Sequence, residues 1–213
     1  MSNVIVAGSG FGGIFSALEL DKRGYDVNLI DKNDFHIFKP DTVFLPSSKV
    51  DIKQLKLDIR NFLPDSIKFV QERITDIDPG GRRVITDDSF YNYDKLVLGL
   101  GGETASYGLD ISSVYSIYDL DDLLELSDLV DLVSRVIIVG SGYSGIELAS
   151  ELDLLGIDVV VVDGSEVPMK SSNDKSSDLA FEYLKNSDIV FMGGRRVVDL
   201  FENGLQLRDG EFL

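Results

Sequence analysis

The stretch VIVAGSGFGG, residues 4–13, places an apolar run directly before a glycine-rich loop. Its glycines Gly8, Gly10 and Gly13 follow the G-x-G-x-x-G spacing. In a strand–loop–helix unit, the first glycine permits a tight turn, the second lets the backbone approach a pyrophosphate, and the third lets the helix pack closely on the strand. One such loop is a weak sign of a dinucleotide site, because glycines after a strand often mark only a turn.

The same pattern returns at VIIVGSGYSG, residues 136–145, with identical glycine spacing. Helical patterns follow at residues 13–23 and 144–155, and each leads into an apolar strand that ends in an aspartate, Asp31 or Asp163. Both aspartates lie 23 positions after the first glycine of their loop. An acid there can accept hydrogen bonds from adenosine ribose hydroxyls, although many such acids are only solvated turn residues. Repetition of the whole order predicts two dinucleotide-binding βαβ units.

Weaker patterns fill the rest of the chain. Residues 33–65 contain three prolines and are expected to be irregular, whereas residues 67–97 predict short strands. Residues 119–133 mix leucines with acids at helical spacing, which predicts an amphipathic helix that connects the two halves. The short segments ERITDI (72–77) and RRVVDL (195–200) resemble each other, so the repeat continues beyond the glycine loops.

Composition narrows the classes of function. The chain has 213 residues, no cysteine, one histidine and a formal net charge of -17. Thiolate or histidine-rich metal sites and redox cysteine pairs are therefore excluded, and no metal is expected. The negative field disfavours nucleic acid and anionic lipid as partners of the surface. No apolar run reaches the ~18 residues of a spanning helix, and the start lacks signal-peptide features, which favours a cytoplasmic protein.

With these features the chain resembles the flavoprotein oxidoreductases that have two dinucleotide-binding domains. The segment YNYDKLVLGLGG, residues 91–102, is similar to a strand of that family that ends in Ala-Thr-Gly, although Gly99, Leu100 and Gly101 stand here and the threonine hydroxyl is lost. The resemblance is closest to type II NADH dehydrogenases, which carry a His-x-Phe-x-Pro pattern after the second strand.

In this chain the pattern comprises His36, Phe38 and Pro40. The resemblance implies that their segment runs toward the flavin ring, while the residues alone also allow His36 to be an exposed loop histidine. It further implies an α/β fold with two Rossmann-like three-layer domains, each with a parallel sheet and a short antiparallel β-meander. We expect an FAD-binding domain at 1–115 and an NAD(H)-binding domain at 116–213.

The implied activity is transfer of a hydride from NADH to FAD and then of electrons to a small-molecule acceptor, a quinone. Alternatives are a relative of the sulfide:quinone or ferredoxin-type pyridine nucleotide reductases, or a fragment that binds a nucleotide without turnover. Sulfide:quinone enzymes use catalytic cysteines that this chain lacks. The oligomeric state stays open.

The predicted site residues follow from the loops and the resemblance. For FAD they are Gly8, Ser9, Gly10, Phe11, Gly12, Gly13, Asp31, Lys32, Phe38, Pro40, Ile74, Gly99, Leu100 and Gly101. For NADH they are Gly140, Gly142, Tyr143, Ser144, Gly145, Asp163, Gly164 and Val197. Glu147, expected in the first turn of the second helix, is the candidate catalytic residue. The alternative is an acid that merely suits a helix N-terminus.

Two further expectations concern the cofactor and the chain end. No Lys or Arg lies between Asp163 and Lys170, so a 2′-phosphate would meet a carboxylate alone, which favours NADH over NADPH. The family has a later Gly-Asp segment and a C-terminal region, whereas this sequence stops at RDGEFL. We therefore expect a C-terminally incomplete chain. Membrane contact, at the inner face of the cell membrane, would then arise only through the missing region.

Overall fold

The computed structural model describes residues 2–106, 108–112 and 114–213. Its contacts divide the chain into two compact units. The first comprises Met1–Phe38 and Ile52–Glu103, and the second comprises Lys39–Asp51 and Thr104–Leu213. The sequence did not indicate that the segment 39–51 packs with the second unit. The expected cofactor domains, 1–115 and 116–213, stay a prediction.

Among the described residues, the first unit contains nine strands and two helices, of which α2 is a single turn. The strands are β1 (Asn3–Ala7), β2 (Asp26–Asp31), β3 (Phe35–Ile37), β4 (Lys56–Asp58), β5 (Lys68–Gln71), β6 (Ile74–Asp78), β7 (Arg83–Thr86), β8 (Phe90–Asn92) and β9 (Lys95–Leu98). The helices are α1 (Phe11–Lys22) and α2 (Ile52–Leu55), with a 3-10 turn at Ile59–Asn61.

A four-stranded sheet of order β5-β2-β1-β9 forms the centre of this unit, and its strands are parallel. Successive side chains of a strand alternate between the two faces of the sheet. On one face, Val6 and Leu29 pack with Ile14 and Ala17 of α1. On the other face, Ile5 and its neighbours pack against the antiparallel meander β6-β7-β8. Helix, sheet and meander make three layers.

The second unit repeats this arrangement. Its elements are α3 (Leu120–Leu129), β10 (Arg135–Val139), α4 (Tyr143–Leu154), β11 (Asp158–Val162), α5 (Asp174–Lys185), β12 (Val190–Met192), β13 (Val197–Phe201) and β14 (Gly204–Leu207), with 3-10 turns at Lys39–Phe44 and Val130–Leu132. The parallel sheet has the order β10-β11-β12, and β13 pairs with β14. Helices cover one face and the β13–β14 hairpin covers the other.

Most sequence predictions agree with this fold. The α/β class with parallel sheets and short antiparallel strands is confirmed. The amphipathic helix is α3, whose Leu123 and Leu126 are buried and whose first N–H groups are capped by Asp119. The repeated ERITDI and RRVVDL segments coincide with β6 and β13, the first strand of each antiparallel layer.

The short strands expected over residues 67–97 are β5 to β9, of which β5 joins the parallel sheet and β6 the meander. Two local predictions are wrong. Residues 33–65 are not irregular throughout, because β3 and β4 pair there as antiparallel strands. Helices α1 and α4 begin at Phe11 and Tyr143, earlier than expected, because the second glycine of each loop is the N-cap. Over the ranges described, none of the helices has the length and apolar character needed to cross a bilayer.

Candidate nucleotide-binding sites

The glycine loop of the first unit is shaped by close backbone contacts. Gly8 has φ +94°, and a Cβ on it would lie 2.3 Å from the carbonyl oxygen of Gly99. A Cβ on Gly13 would lie 1.8 Å from the carbonyl oxygen of Gly8. Gly10 differs, because a Cβ there meets no atom within 4 Å. The first and third glycines are thus required by the protein itself, whereas the second faces open space that a pyrophosphate can occupy.

The loop of the second unit has nearly the same geometry. A Cβ on Gly145 would lie 2.0 Å from the carbonyl oxygen of Gly140, and Gly142 again faces open space. Gly140 has φ +111°, but a Cβ on it would meet nothing within 4 Å. The first glycines of the two loops therefore differ in their backbone neighbour.

The aspartate at the end of β2 holds the first loop. Oδ2 of Asp31 accepts hydrogen bonds from the backbone N–H and the hydroxyl of Ser9, at 2.7 and 2.8 Å. Its Oδ1 accepts the backbone N–H of Asn33 at 2.9 Å. The loop is therefore fastened to the second strand of the βαβ unit through one side chain, and the serine hydroxyl takes part.

Asp163 makes the same bonds in the second unit. Its Oδ2 accepts the N–H and hydroxyl of Ser141 at 2.7 and 2.8 Å, and its Oδ1 accepts the N–H of Ser165 at 2.6 Å. Burial alone would raise the pKa of the Asp163 carboxyl, but these hydrogen bonds outweigh burial and lower that pKa. Since a carboxylate has about four acceptor positions, one is left for a ribose hydroxyl.

This loop-holding role of the aspartates was missed by the sequence analysis. Its signal was the serine that occupies the same position of both loops, Ser9 and Ser141.

His36 is buried, so its interpretation as an exposed loop histidine is wrong. Its Nδ1–H donates to the carbonyl oxygen of Ser9 at 3.2 Å, and its ring lies edge-on to Phe11 at 4.6 Å between centroids. Its Nε2 is buried without a hydrogen-bond partner among the described residues. A buried polar nitrogen beside an open glycine loop fits a polar ligand there, because such atoms are rarely left unpaired.

The other residues predicted for FAD lie in several places. The ring of Phe38 is 5.7 Å from that of Phe11, and the N–H of Gly99 donates to the oxygen of Ala7 at 2.7 Å.

The remaining predicted residues are exposed or pack beside the sheets. Leu100 and Lys32 are exposed. Pro40 is exposed in the 3-10 turn that belongs to the second unit. Ile74 packs on the meander side of the first sheet, and Val197 packs at the equivalent place in the second.

Glu147 is exposed and is the fifth residue of α4. Its predicted place in the first helical turn is wrong, because the helix starts at Tyr143 and its first turn ends before Glu147. Tyr143 and Ser144, which open the helix, are also exposed. The carboxylate of Glu147 is thus free to meet a ligand but is not held in one orientation by a described hydrogen bond.

A buried acid on α4 was not predicted. The Glu151 carboxylate is 7% exposed and accepts hydrogen bonds from the Ser47 hydroxyl at 2.7 Å and the Lys49 ammonium at 2.8 Å. Burial alone would raise the pKa of Glu151, but Lys49 and Ser47 together lower it. These contacts fasten the segment 39–51 to the second unit. No sequence signal pointed to them, since the partners are 104 and 102 positions apart.

The sequence places no Lys or Arg close after Asp163, but the fold brings a distant arginine beside it. The N–H of Arg195 donates to the carbonyl oxygen of Asp163 at 2.9 Å. Arg195, Arg196 and Arg208 line one cavity together with Gly164. The start of β13 and the end of β14 meet there, and this convergence is not visible from spacing along the chain.

Comparison with known proteins adds to this geometry. The type II NADH:quinone oxidoreductase of Staphylococcus saprophyticus is 22% identical, and the match covers 96% of this chain and 60% of that protein. Demethylphylloquinone reductase of Synechocystis sp. is 30% identical, and the match covers 72% of this chain and 43% of that protein. The chain therefore spans about three fifths or less of these relatives.

Among solved structures, NDH2 from Plasmodium falciparum in complex with NADH aligns with a TM-score of 0.84 at 21% identity. The alignment covers 97% of this chain and 50% of that one. At this identity the likeness shows the fold. The family described as pyridine nucleotide-disulphide oxidoreductase matches residues 2–211. With two glycine loops of one geometry on two parallel sheets, the chain belongs to the pyridine nucleotide-disulphide oxidoreductase family.

Proposed function

We propose that the first unit binds FAD and the second binds NADH, and that the protein passes reducing equivalents from NADH through the flavin to a quinone. The observation that carries this proposal is the pair of matching loops, in which Gly10 and Gly142 both face open space. Family membership and the quinone-reducing relatives support the reaction class. When bound, FAD would supply the two-electron chemistry that no side chain of this protein can perform.

The chain's own residues would bind and orient the nucleotides. The N–H groups that open α1 and α4 would bind the pyrophosphates, helped by the helix dipoles. Asp31 and Asp163 keep each loop in shape and retain an acceptor position for the ribose. In the first unit Phe11, Phe38 and His36 would exclude water, and the Nε2 of His36 would gain a polar partner.

The remaining predicted residues extend these sites. Ile74 and Val197 would lie beneath the adenosines, at the start of β6 and β13. Lys32 and Pro40 would contact the first nucleotide, as would the Gly99, Leu100 and Gly101 turn. Glu147, exposed on α4, would contact the nicotinamide end of NADH, where it could hold a proton or hydrogen-bond the ring. Each of these roles is part of the proposal.

We place the protein in the cytoplasm, where NADH is available. Its acceptor is a small quinone.

The experiment compares Gly10→Val with Gly142→Val, each serving as the control for the other. FAD and ADP-ribose binding are measured by calorimetry, and NADH oxidation is followed with a soluble quinone. Gly10→Val should weaken FAD binding more than about tenfold and leave ADP-ribose binding unchanged. Gly142→Val should do the reverse. If both variants bind both ligands as the unmodified chain does, the proposal is wrong.

A further inference from the structure

A cavity of about 430 Å³ lies at the carboxyl end of β11, directly beside the residue that follows Asp163. Its lining consists of Gly164, Gly194, Arg195, Arg196, Leu207, Arg208 and Asp209. Three arginines in the lining of one cavity are unexpected in a chain with 20 basic and 37 acidic residues. The cavity is therefore a local exception to the negative field of the protein.

Backbone hydrogen bonds fix the walls of this cavity. The N–H of Gly194 donates to the oxygen of Ser165 at 2.9 Å, which holds the β12–β13 turn beside the end of β11. The N–H of Arg208 donates to the oxygen of Arg196 at 2.9 Å, which joins the end of β14 to the same turn. Hydrogen bonds within the protein therefore position the arginine backbones.

The charges of the three arginines are not equally available. Arg195 forms ion pairs with Asp209, at 2.9 Å, and with Glu211, and its Nε is buried without a hydrogen-bond partner. Arg196 and Arg208 form no ion pair within the ranges that the structure describes. Two guanidinium charges therefore remain to bind an anion, and a buried N–H adds a donor.

The Asp163 carboxylate repels an anion in this cavity less strongly than its formal charge alone implies. Three of its about four acceptor positions already receive hydrogen bonds from Ser141 and Ser165. Those donors offset part of the carboxylate charge, and they leave little capacity to bind two ribose hydroxyls. Recognition of an unmodified ribose by Asp163 is correspondingly weakened.

We propose that the arginine cavity binds a phosphate monoester on the adenosine ribose of the nucleotide held by the Gly140 loop, so that the second unit accepts NADPH as well as NADH. A 2′-phosphate extends from the ribose at the end of the second strand of a βαβ unit, which is where Gly164 lies. Arg196 and Arg208 provide the planar forks that match phosphate oxygens. The inference rests on the proposed nucleotide site of the second unit and extends it.

The test measures binding of 5′-AMP and of 2′,5′-ADP, which differ only by the 2′-phosphate, to the full chain by calorimetry. The variants are Arg196→Gln and Arg208→Gln, and the matched control is Arg135→Gln, which removes the same charge at the first residue of β10. The unmodified chain should bind 2′,5′-ADP about tenfold more tightly than 5′-AMP, because charge-assisted hydrogen bonds are gained. Either cavity variant should remove about tenfold of 2′,5′-ADP affinity and change 5′-AMP affinity less than about twofold, whereas Arg135→Gln should change neither.

Other results overturn the inference. Equal or weaker binding of 2′,5′-ADP, with NADH oxidation intact, would refute the phosphate site and leave the proposed function standing. If 5′-AMP with added inorganic phosphate matches 2′,5′-ADP, the cavity is a free-anion site and not part of the nucleotide site. If neither nucleotide binds, the inference fails together with the proposed NADH site.

Discussion

The two units carry the same glycine loop in different surroundings. In the first, β1 is paired on both sides, by β2 and β9, and its last four residues are at most 1% exposed. In the second, β10 pairs only with β11 over the ranges described. Its last residue, Val139, is 53% exposed, whereas the corresponding Ala7 is fully buried.

The difference separates two kinds of constraint on a glycine loop. Gly13 and Gly145 face the carbonyl oxygen of their own loop, so this constraint is internal and present in both units. The contact of Gly8 with Gly99 comes from the β9 side of the sheet and has no counterpart at Gly140. Substitutions at matched positions of the two units can therefore separate the steric constraints that arise within the loop from those that neighbouring strands impose.

The largest expected effect tests the internal constraint. Gly13→Ala and Gly145→Ala should each reduce the free energy of unfolding of their unit by at least about 3 kcal/mol, because a Cβ would overlap a backbone oxygen that cannot move alone. Urea unfolding followed by tyrosine fluorescence and hydrogen exchange of β1 and β10 amides would measure this. Gly12→Ala, in open space on α1, is the control and should be neutral or stabilising. If Gly145→Ala left the free energy of unfolding unchanged while Gly13→Ala lowered it, the two loops would not share the same internal constraint.

The next largest effect tests the contact between Gly8 and Gly99. Gly140→Ala should lower the free energy of unfolding only by the strain of a left-handed conformation, about 1–2 kcal/mol. Gly8→Ala should cost at least about 2 kcal/mol more, since the same strain is joined by overlap with the Gly99 oxygen. The same unfolding and exchange measurements apply. Equal costs would mean that the β9 side of the sheet yields to the added methyl group.

The smallest effect concerns the serine–aspartate bonds. Ser9→Ala and Ser141→Ala should each lower the free energy of unfolding, measured by urea unfolding, by about 1.5 kcal/mol at neutral pH. The reason is that the hydroxyl hydrogen bond to the carboxylate is lost while the backbone N–H bond remains. Ser16→Ala on α1 is a control that removes a hydroxyl outside these bonds.

The second unit sharpens this test through pH. The pKa of Asp163 is lowered in the folded chain, so its stabilisation is complete above its unfolded pKa of about 3.9 and is lost as pH falls through the folded pKa. The deficit of Ser141→Ala should shrink over that acid range. A deficit independent of pH would mean that Asp163 is not the partner that matters.

Sequence reasoning succeeded where the signal is local. The strands, helices and acids of both βαβ units follow from residues close in sequence, such as Gly8 to Asp31, because backbone geometry and hydrophobic period act over short distances. Two equal spacings made the second unit as recognisable as the first. The loop-holding bonds of Ser9 and Ser141 were also within reach, since both positions carry the same residue.

The features that the sequence did not predict depend on contacts between residues that are far apart in the chain. Arg208 and Gly164 line one cavity because β14 pairs with β13, and Glu151 forms its ion pair with Lys49, which lies 102 positions earlier in the sequence. The sequence left the exposure of His36 open, because its burial depends on Phe11 and the Ser9 carbonyl, which its own neighbours do not reveal. No periodicity or spacing records such pairings.

The segment 39–51 has a consequence for synthesis on the ribosome. Ser47 and Lys49 emerge early, whereas Glu151 is made about 100 residues later, a delay of about 5–20 s at ordinary elongation rates. All residues of the first unit precede Glu151, so that unit can fold while the segment is still waiting for α4. The ammonium and hydroxyl are then already present when the acid appears, and Glu151 never has to be buried without a partner.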